Sequence, residues 1–182
     1  MTTAQTLGRA FNSYYEDRAY GGSAQLDAQL TPEDRFSLAT HYRRDKHVEF
    51  QQGFPSGFTE PRQDNVEDTY SVAAENLLTI MPALSLTLGA SYDWRDLKRA
   101  EEYGTPPTGG GARIFSYPLA NAAAFNWQGR LEWRPEDVTA LHASVSRRSR
   151  FPTIFERFST QFSTAASNPS LDAERATNYE IG

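Results

Sequence analysis

Leu84-Ser85-Leu86-Thr87-Leu88-Gly89-Ala90-Ser91-Tyr92-Asp93-Trp94-Arg95 is the stretch that decides the fold. Leu84, Leu86, Leu88, Ala90, Tyr92 and Trp94 alternate with Ser85, Thr87, Gly89, Ser91, Asp93 and Arg95. A period of two belongs to an extended strand, whose successive side chains point to opposite faces; a helix needs its apolar residues every three or four positions. Working backward, Met81-Pro82-Ala83 is a turn, because proline presets the backbone angle that a tight turn requires. Before it, Tyr70, Val72, Ala74, Leu78 and Ile80 form the apolar row of another strand. The two strands and their turn make a hairpin.

The same unit occurs on either side. From Ser23 to Leu30 the apolar positions are Ala24, Leu26, Ala28 and Leu30; Thr31-Pro32-Glu33-Asp34 turns the chain, and Phe36, Leu38, Thr40 and Tyr42 continue opposite Ser37, Ala39, His41 and Arg43. Downstream, Phe125, Trp127, Leu131 and Trp133 oppose Asn126, Gln128, Arg130 and Glu132. Arg134-Pro135-Glu136-Asp137 reads as the turn, and Leu141, Ala143 and Val145 follow. Pro32, Pro82 and Pro135 recur at spacings of 50 and 53 residues. The turns at one end of every hairpin are short, while the connections at the other end, about 47–66, 96–121 and 150–174, are long for ordinary loops. Short turns on one side and long loops on the other are the construction of an outer-membrane barrel.

The aromatic residues support that reading independently. Phe36 and Trp133 lie beside tight turns, whereas Tyr42, Tyr70, Tyr92, Trp94, Phe125 and Trp127 lie toward the long loops, which makes two girdles around a band of Leu, Val, Ile and Ala. Glu75, Asp93, Arg95, Arg130, Glu132 and Arg148 fall on the opposite, inward face, where a hydrated lumen accommodates charge that a dry core does not. A passive porin or adhesin barrel shares this pattern. A soluble β-sandwich binding module is the other alternative, with the apolar rows buried against one another.

Composition narrows the function. Hydrophobic residues are 38% of the 182 and aromatic residues 13%; with a mean hydropathy of -0.63, no run approaches the length of an apolar membrane helix. A lipid-facing strand escapes that test because only alternate residues are apolar. The chain has no cysteine and a net charge of -5, which excludes disulfides and thiolate metal sites and argues against nucleic acid as a partner; Arg43-Arg44 and Arg147-Arg148 are too short to make a phosphate-binding surface. His41, His47 and His142 show no metal-ligand spacing. Thr108-Gly109-Gly110-Gly111 lacks the Lys and hydroxyl residue of a phosphate loop, and no nucleophile elbow or triad motif is present. No enzyme activity, cofactor or metal is expected. Tyr14, Tyr15, Tyr103, Phe115 and Tyr117 fall in the predicted external segments and are the candidate ligand-stacking residues.

Two further segments carry a family resemblance. They are Arg150-Phe151-Pro152-Thr153-Ile154-Phe155-Glu156-Arg157-Phe158 and Asn168-Pro169-Ser170-Leu171-Asp172-Ala173-Glu174, the latter running on to Asn178-Tyr179-Glu180-Ile181-Gly182. The pair resembles barrel motifs of TonB-dependent outer-membrane receptors of the siderophore and cobalamin type, matching at Arg150, Pro152, Thr153, Glu156, Phe158, Asn168, Pro169, Leu171, Glu174, Asn178, Tyr179, Glu180 and Gly182. Ala173 departs from the proline usual there. Structural roles are expected for these residues: Pro152 and Pro169 stiffen a long loop, and Asn178 opens the returning strand.

The resemblance implies an all-β, antiparallel up-and-down transmembrane β-barrel segment of about seven strands. It also implies a function, the binding and active import of a scarce nutrient such as a ferric siderophore, haem or cobalamin. The partners implied are outer-membrane lipid, the receptor's own plug domain and TonB, and the location is the outer membrane of a Gram-negative bacterium. Met1-Thr2-Thr3-Ala4-Gln5 lacks a signal peptide and Tyr179 to Gly182 stops within a strand. Residues 1–182 are therefore expected to be a partial, mid-to-late barrel domain, without plug or closing strands, that aggregates if expressed alone.

Overall fold

The computed structural model describes residues 10–158 and 167–182. Long alternating runs become long strands. These are β1 (Ala10–Thr31), β2 (Asp34–Phe54), β3 (Gln63–Met81), β4 (Leu84–Gly104), β5 (Arg113–Ser116), β6 (Ala122–Glu136), β7 (Thr139–Arg150) and β8 (Glu174–Ile181), with, among the described residues, one short helix, α1 (Ile154–Phe158), between β7 and β8. The sheet runs β1-β2-β3-β4-β6-β7-β8, with β5 pairing off the path against β4. Every pairing is antiparallel between neighbours in the chain, apart from the small detour of β5. Seven strands make the wall, as the repeat predicts.

Register keeps each apolar row on one face from strand to strand. Leu26 pairs with Leu38 and Leu38 with Ala74, Leu78 with Leu86 and Leu86 with Leu131, and Leu131 with Ala143. A slip of one residue on any strand would turn its whole row over. The apolar face is left open: Leu26 is 65% exposed, Leu88 51% and Phe125 57%. The opposite face carries Ser71, Glu75, Asp93, Asn126, Gln128 and Arg148 around a hollow. Among the described residues no second sheet packs on the apolar rows, so the sandwich alternative fails.

The aromatic residues toward the long connections form one slanting row across the apolar face. Ring centroids are 6.4 Å apart for Tyr20 and Tyr42, 5.1 Å for Tyr42 and Tyr70, 5.4 Å for Tyr70 and Trp94, and 6.0 Å for Trp94 and Tyr92. Phe125 pairs with Tyr92, and Trp127 with Ala90, on the adjoining strand. The row steps down as it passes from β1 toward β8, as a level belt does on tilted strands.

Two sequence expectations are corrected. The third tight turn is Asp137-Val138, and Pro135 lies inside β6. Proline removes a ladder donor, and the register is indeed irregular there, between Trp133 and Glu136. The first two of the expected long loops are in good part strand. β2 runs on to Phe54 and β3 begins at Gln63, so the connection shrinks to 55–62, and β4 continues to Gly104. Polar residues can stay in a ladder above the membrane because hydrogen bonding between strands does not depend on side-chain hydropathy. Of the third connection, 159–166 lies outside the described residues, as does Met1 to Gln5.

Candidate luminal site

The Arg150–Phe158 segment supplies the centre of the site. Thr153 and Glu156 close a reciprocal cap on α1: the Glu156 amide donates to Thr153 Oγ1 at 3.2 Å and the Thr153 amide donates to Glu156 Oε2 at 2.7 Å. Arg150 holds the same carboxylate from two sides, Nη1 to Oε2 at 2.9 Å and Nη2 to Oε1 at 3.0 Å. These contacts, Arg150's first, draw the Glu156 carboxyl down to about 2. Sequence reading takes this segment as a stiffened loop. Its Thr-x-x-Glu spacing was the available signal for a helix start.

The capped helix folds against the polar face of the sheet. Phe155 sits edge-on to Tyr15 at 6.0 Å and to His47 at 5.9 Å. On its other side Ile154 and Phe158 bury with Leu97 and Ala100, and Tyr117 packs on that cluster. Arg157, with 0% of its side chain exposed, pairs with Glu67, whose carboxylate also faces Arg95 Nε at 3.7 Å. Arg95 donates from Nη1 to the Pro152 carbonyl at 3.3 Å and lies over the Phe151 ring. One buried carboxylate thus faces two buried guanidiniums. Burial pushes the Glu67 carboxyl up and pulls Arg157 down to about 10, which leaves Arg157 charged at neutral pH.

Beside this cluster His47 is buried, with Nδ1 2.7 Å from Asp17 and Nε2 3.5 Å from Glu49. Burial opposes its charged form, but the Glu49 and Asp17 carboxylates outweigh that and hold the ring above its ordinary value. Among the described residues no group of His, Asp and Glu is arranged to hold a metal ion. Deeper on the polar face Asp93 accepts from Ser71, from Asn126 at 2.5 Å and from Ser91 at 3.3 Å, and Gln128 donates to Glu75 at 3.0 Å.

The five aromatic candidates do not converge. Tyr15 meets Phe155 and Tyr117 meets Phe158 of α1, but Tyr14 lies on the other face of β1, stacked on Phe50 at 4.9 Å. Tyr103 packs with Phe58 at 6.1 Å, and Phe115 with Tyr117 at 5.3 Å. The remaining motif residues tie the connection to its strands. The Asn168 amide donates to the Arg157 carbonyl at 2.7 Å, the Leu171 amide to the Asn168 carbonyl at 3.2 Å with Pro169 in the turn, and Arg150 to Glu174 at 3.2 Å. In β8, Asn178, Tyr179 and Glu180 pair with Ser146, Val145 and Ser144, while Gly182 and His142 exchange backbone bonds at 2.7 and 3.0 Å. Arg157, Glu67 and His47, which hold α1 down, were not picked out as site residues. Their partners are far away in the sequence.

The sequence matches the family model described as TonB dependent receptor-like, beta-barrel, over residues 2–182. The chain belongs to the TonB-dependent receptor family. A solved structure titled copper transporter OprC has the same fold, with a TM-score of 0.72 at 17% identity over 94% of this chain and 28% of that one. No curated protein matches by sequence. TonB-dependent receptor barrels are outer-membrane structures, and that accounts for an apolar face bounded by aromatic rings and a polar face that holds charge.

Proposed function

We propose that this chain is part of the barrel domain of a longer outer-membrane receptor that takes up a scarce nutrient with energy relayed through TonB. The polar face with α1 folded against it carries this reading. A buried ion pair pins that helix to the inner wall, and the family match over residues 2–182 supports uptake through TonB over a passive pore. The end strands β1 and β8 do not pair with each other, which supports a partial wall whose neighbours and plug lie elsewhere in the parent protein. The nutrient class is a metal ion or metal chelate. A ferric siderophore, haem or cobalamin fits the resemblance of the motif, and the neighbour titled copper transporter favours the metal itself. Tyr15 and Tyr117 are the ligand-facing aromatics proposed from the earlier five, because both contact α1.

The test is uptake by cells carrying the intact receptor, supplied with radiolabelled ferric siderophore, haem, cobalamin or copper, with and without TonB. Accumulation of one of them that requires TonB is expected. Equal accumulation in both strains assigns the chain to a passive barrel and ends this reading.

A further inference from the structure

The outward face, above the aromatic row, carries cations that are nearly all matched. Arg18 pairs with Glu16 at 2.5 Å, Arg44 with Asp68 at 2.6 Å and Lys46 with Asp64 at 3.2 Å. Arg147 and Arg175 break the pattern. Both are exposed and both stand on the outward rows of β7 and β8; Arg147, flanked by β6 and β8, has no ion pair or hydrogen bond among the described residues, and Arg175 on the edge strand β8 sets a second cation beside it.

Their placement sharpens the point. Arg147 pairs with Trp127 on one side and Thr177 on the other. Trp127 belongs to the aromatic row, and Tyr179 lies diagonally across from Arg147 as partner of Val145. Arg147 therefore occupies the place in the row where an aromatic residue stands on neighbouring strands. Such rows mark the level of lipid headgroups. Arg175 pairs with Ser149, which makes it the diagonal neighbour of Arg147 one step farther from the apolar band, a separation of roughly 7 to 8 Å between backbones. None of the positions around Arg147 on this face, Val145 and Ser149 included, is a carboxylate. Two like charges so placed repel unless an anion lies between them, and guanidinium forks match phosphate oxygens in pairs.

We infer that Arg147 and Arg175 form a binding site for the phosphate of an outer-leaflet glycolipid headgroup, with Trp127 and Tyr179 against the sugar and upper acyl region. The inference rests on the proposed outer-membrane setting. The lipid is the committed occupant because the site borders the apolar band, where a free phosphate gains nothing from the rows beneath it.

The experiment uses the intact receptor, with native mass spectrometry against graded bisphosphorylated lipid A and its dephosphorylated form. R147Q/R175Q is expected to bind the bisphosphorylated lipid about twenty- to thirtyfold more weakly, from about fivefold for each basic side chain at a charged membrane surface. It should bind the dephosphorylated lipid as the parent does. R18Q should leave both unchanged, and R147K/R175K, which keeps the charge but loses the paired fork geometry, should bind the bisphosphorylated lipid between the parent and R147Q/R175Q. Parent-like binding by R147Q/R175Q overturns the site, as does equal loss of both lipids or displacement of lipid A by millimolar inorganic phosphate. If R147Q/R175Q does not fold, R147K/R175K decides: binding as weak toward both lipids overturns the site. Recovery of the parent in the outer-membrane fraction with gel mobility that shifts on heating is scored separately, and its failure counts against the membrane setting alone.

Discussion

Arg157 and Glu67, 90 positions apart in the chain, form a buried ion pair that fastens α1 to the inner side of β3. Glu67 also faces Arg95, so one carboxylate is shared by two buried cations. Removing one partner of a buried pair costs roughly 3 to 5 kcal/mol when it strands the other charge. Glu67→Leu strands two guanidiniums and should release α1, seen as loss of amide protection over residues 150–158 by hydrogen exchange in the intact receptor. Arg157→Met leaves Arg95 and Glu67 to each other and should cost distinctly less. Equal losses would contradict the shared-anion arrangement.

The cap on α1 should be sensitive to acid. Glu156 is held at about 2, well below its ordinary 4.5, by Arg150 first and then by Thr153. A carboxyl whose folded value is depressed contributes stability above the unfolded value and loses it as pH falls through the folded one. Protection of residues 153–158 should therefore be constant from neutral pH to about 5 and fade between about 4.5 and 2. Glu156→Gln should start from lower protection and show no such step; a step that persists in the variant assigns the effect elsewhere.

Depth in the membrane sets the cost of charge on the apolar face. Leu88 lies midway between the tight turn and the aromatic row of β4, and Thr87 faces the opposite way. Leu88→Arg should cost about 2 to 4 kcal/mol in folding of the intact barrel, Leu84→Arg, near the turn, about 0 to 1, and Thr87→Arg little. Urea titration into lipid vesicles measures all three. A cost at Thr87 matching that at Leu88 would reverse the facing.

Adjacent glycines should behave differently. A side-chain carbon on Gly21 would run into the Tyr42 backbone carbonyl, whereas one on Gly22 meets nothing within 4 Å. Gly21→Ala should destabilise the β1–β2 ladder by roughly 1 to 3 kcal/mol through forced backbone movement. Gly22→Ala should be neutral within about 0.5 kcal/mol. The same titration compares them, and indistinguishable midpoints would mean that the strands do not approach so closely at Tyr42.

Leu84 to Arg95 shows how much a local pattern settles. Each residue's face follows from its parity, so the alternating parts of the seven wall strands, two of the three tight turns, the polar and apolar faces and the aromatic row are legible without coordinates, whereas β5 and the first half of β1 are not. Pro135 misled because proline marks a turn and also tolerates a bulge, and only pairing with β7 distinguishes the two. The long loops were overestimated because a polar strand above the membrane has no alternation to betray it. Tyr14 and Tyr15 were grouped as neighbours, yet the same parity sends them to opposite faces.

By itself, then, the sequence determined everything that repeats every two residues, since alternation between lipid and water is imposed one strand at a time. The motif residues from Arg150 to Glu156 pointed to the family, while their Thr-x-x-Glu spacing holds a helix start that the reading as a stiffened loop passes over. Tertiary structure alone decided where that helix goes. Arg157 meets Glu67 and Arg95, and Phe155 meets Tyr15 and His47, only after three hairpins have paired in register. Contacts between residues so far apart in the chain depend on the accumulated placement of every strand between them, which no local periodicity encodes.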